Sequence, residues 1–184
     1  MLQPDGHVLR SGPYPLRFEW GEAAIQYLAP SCQAVVIMGV LSFSTAVDVA
    51  LERGASVLPY RWKDDSAARH AAEQGAVLAS HDRRFTCGYS LSLASLNTLP
   101  QGARLALPSP NGATLSMLAH QSGAAVFTAC FRNAGEVAAY IEQHFARVLV
   151  AAGERWPDGT LIPAREDEWG AGAVNCHAEN VLRA

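Results

Sequence analysis

Paired cysteines are missing from this chain. Cys32, Cys87, Cys130 and Cys176 stand singly with no C-x-x-C spacing, which excludes a zinc knuckle and argues against a disulfide framework. The six histidines, His7, His70, His81, His120, His144 and His177, show no ligand spacing either. Charge is scarce: 17% of residues are charged and the formal net charge is -3, with no basic stripe, so a nucleic-acid surface is not expected. No apolar run is long enough to cross a bilayer, and the opening MLQPDGHVLR has no apolar signal core. These absences leave a soluble cytoplasmic domain with reduced thiols and no membrane partner as the expectation.

What is present is enough for a proper core. At 184 residues and 49% hydrophobic, the chain has the length of a single domain over 1–184. Residues 1–15, with Pro4, Gly6, Gly12, Pro13 and Pro15, suit a loosely held arm. The apolar composition admits a homodimer, although no segment marks its interface.

Helical and extended segments alternate along the chain. Trp20, Ala23, Ala24 and Tyr27 share one helical face within 19–28, and Pro30 ends that helix. The continuous apolar run 33–41 is the pattern of a strand buried on both faces of a parallel sheet. A helix over 46–52 follows, with Gly54 beyond its end and Ser44 or Thr45 as its N-cap or as a hydroxyl offered to an anion. A strand at 55–60 completes a βαβ unit, then come an amphipathic helix at 64–74 and a short strand at 76–80. Residues 81–95 have no clean period and read as an irregular loop. Beyond it lie strand 103–107, helix 115–122, strand 124–128, helix 135–145, strand 147–152, a polar loop over 154–163 and a helix starting at 166. The alternation predicts an α/β fold, a three-layer α/β/α sandwich with a mainly parallel or mixed central sheet.

In such folds ligands sit beyond the carboxyl ends of the strands. Four segments reach that edge: 42–45, 109–112, 130–133 and 153–167. The most distinctive is 108–115, Pro-Ser-Pro-Asn-Gly-Ala-Thr-Leu, where the Asn111-Gly112 turn joins a strand to a helix start. Backbone N–H groups at such a turn make a cradle for an anion, and the same sequence also serves as an ordinary βα connection.

Five segments, Val-Val-Ile-Met-Gly-Val-Leu-Ser-Phe-Ser-Thr-Ala (35–46), Asn-Gly-Ala-Thr (111–114), Cys-Phe-Arg-Asn-Ala (130–134), Val-Ala-Ala-Gly (150–153) and Glu-Asp-Glu-Trp-Gly-Ala-Gly-Ala (166–173), occur in an order and spacing that resembles the 2-phosphosulfolactate phosphatase family. The resemblance implies an α/β, magnesium-dependent phosphatase acting on a small phosphorylated metabolite. The family pattern opens with an Asp and an Arg that stand here as Gly39 and Ser42, and a further acid stands as Ser90.

With hydrolysis as the expectation, Ser44, Thr45, Ser109, Asn111 and Gly112 form the phosphate cradle, Arg132 is the cationic clamp and Asn133 a positioning donor. Glu166 and Asp167 either hold Mg²⁺ or complement the dipole of their helix, and Asp167 doubles as a catalytic acid. Trp156 and Trp169 flank these acids, where they wall a pocket or fill core. The competing expectation is a catalytically inactive relative that keeps the fold and works as an anion-binding or assembly protein, with Gly39, Ser42 and Ser90 in its favour.

Overall fold

The structure is a computed structural model and describes residues 16–80, 88–146, 148–156 and 158–181. The arm expected at 1–15 and most of the irregular loop, 81–87, lie outside the described residues. The α/β expectation holds. Strand β1 (Leu16–Trp20) leads into α1 (Gly21–Leu28) and a 3₁₀ turn, Ala29–Ser31; β2 (Ala34–Met38), α2 (Phe43–Glu52), β3 (Ser56–Tyr60), α3 (Asp65–Glu73), β4 (Val77–Leu78) and the single turn α4 (Leu93–Leu96) follow. The second half runs β5 (Arg104–Pro108), α5 (Gly112–Gln121), β6 (Ala125–Ala129), α6 (Ala134–His144), β7 (Val148–Ala152), the short strands β8 (Glu154–Arg155) and β9 (Leu161–Ile162), and α7 (Arg165–Val181). No helix among the described residues is long and apolar enough to cross a membrane.

The expected central sheet is divided in two. One parallel sheet has the order β1-β7-β2-β6 and a second has the order β3-β5-β4, while β8 and β9 form a small antiparallel hairpin. Crossover helices α2 and α5 each lie against strands of both sheets. Strand β1 overrides the expected start of the first helix: its five residues pair in register with all of β7, from Leu16 opposite Val148 to Trp20 opposite Ala152.

Strand β2 explains why the site lies where it does. All five of its residues are buried, and their alternation divides them between two cores. Val35 and Ile37 belong to the larger core, with Phe43, Leu105, Leu107 and Leu115, which joins the two sheets. Ala34, Val36 and Met38 belong to a second core with Val148, Val150, Ile141 and Val174, under α6 and α7. Each such branched or long side chain contributes about 1.5–3 kcal/mol on burial. The carboxyl end of β2 is therefore held from both faces.

Two glycines let helices approach closely. A Cβ on Gly112 at the start of α5 would lie 2.2 Å from Phe43 Cδ1 at the start of α2, and one on Gly170 of α7 would lie 2.8 Å from Met38 Sδ. Gly172, two residues further on but on the open side of α7, has nothing within 4 Å. Gly112→Ala is expected to destabilise by about 1–3 kcal/mol through overpacking, and Gly172→Ala to stabilise by about 0.5–1 kcal/mol by restricting the unfolded chain. Chemical denaturation of the two variants checks both signs.

Candidate functional site

A cleft of about 460 Å³ opens at the carboxyl ends of β2, β5 and β7. Gly39 and Ser42 line it from the end of β2, Ser109 to Gly112 from the end of β5, and Gly153 from the end of β7. Lys63, three residues beyond β3, adds a cation, and Glu166 and Asp167 enter from the first turn of α7. The β8–β9 hairpin closes one side with Glu154, Arg155, Trp156 and Gly159.

Three helices begin at this cleft. The N-caps of α2 and α5, Ser42 and Asn111, make no side-chain bond to their own helices. The Ser42 hydroxyl instead donates to Leu91 O at 3.0 Å, and the Asn111 amide donates from Nδ2 to Glu154 Oε2 at 2.7 Å. Asn111 Oδ1 is buried without a partner. Uncapped first-turn N–H groups carry the positive end of the helix dipole, which favours an anion. The loop carrying Asn111 is held by Ser109 N, which donates to Tyr60 O at 2.8 Å and so ties the end of β5 to β3.

Asp167 is the most constrained polar group of the cleft. It is 3% exposed, and its Oδ1 accepts from Val40 N at 2.8 Å. Burial pushes its carboxyl up to about 6, against the lowering effect of the Val40 and Gly153 N–H groups, and the charges of Glu166 and Glu154 add to the rise. Lys63 makes no ion pair among the described residues, whereas Arg155 is engaged by Glu22 at 2.7 Å.

The structure brings together Ser109, Asn111, Gly112, Glu166 and Asp167 of the expected site residues, and corrects the other four. Arg132 lies outside the cleft: it is 49% exposed, its Nε meets Asp48 Oδ2 at 2.7 Å, and its Nη2 meets Glu52 Oε2. Asn133 is engaged in its own turn, where Oδ1 accepts from Cys130 N at 2.8 Å and Nδ2 donates to Thr128 O at 3.3 Å. The physical reason is strand order: the 130–133 segment follows β6, the outer strand of its sheet, and the cleft lies on the other side of β2. Ser44 and Thr45 fall inside α2, which starts three residues earlier than expected. Their buried hydroxyls donate to Ile37 O at 2.9 Å and Val40 O at 2.7 Å, bracing the β2–α2 turn from beneath.

Lys63, Glu154 and Arg155 are charged cleft residues that sequence reasoning did not single out, and Trp156 takes the first of its two expected places, as a pocket wall. Lys63 follows an apolar strand just as the chosen loops do, so the same strand-end rule reaches it. Glu154 to Trp156 lie in the segment 153–167 expected at this edge, and the Asp158-Gly159 turn signal marks the hairpin. Trp169, by contrast, is exposed on α7 and does not line the cleft. No family model matches the chain, and no curated protein matches it.

Because the folded-state value of Asp167 lies above the ~3.9 of an unfolded chain, the native state binds that proton more tightly. Its contribution to stability is complete below about pH 4 and is lost as pH rises through about 6. Asp167→Asn keeps an acceptor for Val40 N and removes the titration. The melting temperature of the wild type relative to this variant should fall as pH rises over that interval, and a constant difference would contradict the raised value.

Proposed function

We propose that the cleft binds the phosphate of a small acidic metabolite and hydrolyses its ester with the help of Mg²⁺. The observation that carries the proposal is the convergence, in one cleft, of three helix starts, the Lys63 cation and the buried Asp167. The resemblance to 2-phosphosulfolactate phosphatases in the order of five segments supports the same reading.

The donor set suits Mg²⁺. That ion takes one or two carboxylates and keeps several waters. Glu166 and Asp167 offer an adjacent pair at the cleft wall, and the burial and mutual repulsion that disfavour charge on Asp167 are what a cation would relieve. Among the described residues no group of three or more His, Cys, Asp or Glu side chains is arranged to hold a metal, so the protein would supply at most these two carboxylates. Glu166 and Asp167 would hold the ion, which would supply neutralisation of charge at the phosphoryl oxygens. The protein's own part is binding and orientation: Lys63 and the first-turn N–H groups of α5 draw in the phosphate, and Ser109 to Gly112 fix its approach.

One observation favours a second reading. Gly39 and Ser42 both line the cleft, so the acid and arginine of the family pattern are missing from the site itself, and the Ser42 hydroxyl is turned to Leu91 O. An anion-binding protein without turnover keeps every feature of the cleft except a catalytic requirement.

Phosphate release from a panel of small phosphorylated acids, with and without Mg²⁺, separates the two. Metal-dependent turnover is expected, reduced about 10- to 100-fold by Lys63→Ala, the worth of one charge-assisted hydrogen bond. Asp167→Ala should abolish it. Arg132→Ala should leave it unchanged and cost at most about 1 kcal/mol of stability, as an exposed ion pair does. Phosphate binding without turnover on any member selects the second reading, and no phosphate binding at all sinks both.

A further inference from the structure

The cleft offers more than a seat for phosphate. Its volume, about 460 Å³, is in the range of sites that enclose ligands of many heavy atoms. At its hairpin side stands Trp156, 56% exposed. This indole belongs to neither core and forms no ring pair with another aromatic among the described residues. Several aromatic side chains are exposed, and among those of the described residues Trp156 is the one that lines the cleft.

The hairpin that carries Trp156 is pinned. Trp156 N donates to Thr160 O and Gly159 N to Trp156 O, both at 2.8 Å. Asp158 Oδ1 accepts from Thr160 N at 2.9 Å and from Thr160 Oγ1 at 2.7 Å. Arg155 joins the hairpin to Glu22 of α1 at 2.7 Å, and Asn111 joins its base to α5 through Glu154 Oε2, also at 2.7 Å. Leu161 packs so closely on Gly153 that a Cβ there would lie 2.8 Å from Leu161 Cδ1. The backbone that carries Trp156 is thus held at the rim of the cleft.

Beside the indole the cleft is rich in acceptors. A carboxylate accepts several hydrogen bonds: Glu166 presents one to the cleft, and Glu154 presents another, whose Oε2 is already engaged by Asn111 Nδ2, while the cation Lys63 and the helix starts are suited to an anion. An apolar platform flanked by carboxylates matches a ring that has a C–H face and hydroxyl donors around its edge.

We propose that the organic half of the ligand is a sugar ring, so that the cleft takes a sugar phosphate, with Trp156 as the residue that determines this specificity. The inference rests on the phosphate reading and narrows it. The sugar lies with its C–H face on the indole and donates hydroxyls to Glu154, and its phosphate faces Lys63 and the start of α5. A flat aryl ring without hydroxyls would use the platform but donate nothing to the carboxylates, and a three-carbon phosphorylated acid would reach neither fully.

Calorimetric titration of the full chain without Mg²⁺ tests this, using inorganic phosphate, glucose 6-phosphate, phenyl phosphate and phospholactate as probes. Glucose 6-phosphate should bind about tenfold more tightly than inorganic phosphate, the worth of one aromatic contact with its burial. Trp156→Ala should erase that margin and leave the affinity for inorganic phosphate unchanged, Trp156→Phe should restore part of it, and Glu154→Gln should reduce it. Since Trp156 is exposed, circular dichroism should show the variants folded. A margin that survives Trp156→Ala, or phospholactate or phenyl phosphate binding as tightly as the sugar phosphate, overturns the sugar assignment alone. Failure of the wild type to bind inorganic phosphate both without Mg²⁺ and with it overturns the phosphate reading and the sugar assignment with it.

Discussion

The contact on which the site depends is the hydrogen bond from Val40 N to Asp167 Oδ1, 2.8 Å long and buried, between residues 127 positions apart. It joins the first turn of the last helix to the end of the central strand, and each partner needs the other. Val40 N–H has left the sheet ladder just past β2 and requires an acceptor, since a buried donor without one costs about 1–3 kcal/mol. Asp167, buried by the approach of α7, requires donors to remain soluble in the protein interior. The approach itself is set by Gly170, where any side chain would meet Met38 and Val40.

From that joint the cleft follows. The same carboxyl end of β2 that receives Asp167 starts α2 at Ser42, and α2 meets the start of α5 through the contact of Phe43 with Gly112. Three helix starts are gathered because three close approaches are permitted, two by glycine and one by a hydrogen-bonded carboxylate. β2 and β5 belong to different sheets, and the loops that follow them both line the cleft. Arg132 falls outside this gathering and serves instead to tie the β6–α6 loop to Asp48 and Glu52 on the outer face of α2.

Much of this was legible beforehand, in residues whose local chemistry admits one outcome. The run at 33–41 carried the pattern of a strand with both faces covered, of which Ala34–Met38 form β2, and the amphipathic stretch 64–74 forms α3, with Asp64 outside it as the N-cap whose side chain accepts from Ser66 N at 3.0 Å. The alternation Leu16-Arg17-Phe18-Glu19-Trp20 also carried its period of two, but Trp20 fits a helical face equally well, and only pairing with β7 decides between them. Ser44 and Thr45 show the same ambiguity in a polar group: a hydroxyl near a helix start serves a ligand or the backbone, and the choice depends on which carbonyls lie within reach.

The α/β class and most of the alternation of helices and strands were set by the chain's local pattern, because periodicity and burial act within a few residues; β1 and the β8–β9 hairpin were not, since they form by pairing with β7 and with each other. Gly112 is the first residue of α5, and what requires glycine there is the approach of Phe43, a tertiary contact. Packing between distant segments also separated Arg132 and Asn133 from Asn111 and Asp167 by placing β6 on the outside of its sheet, and it brought Lys63 to the cleft from a segment with no distinctive motif. Strand order is the sum of pairings and packings between distant residues, and the neighbours of a residue along the chain carry no record of it.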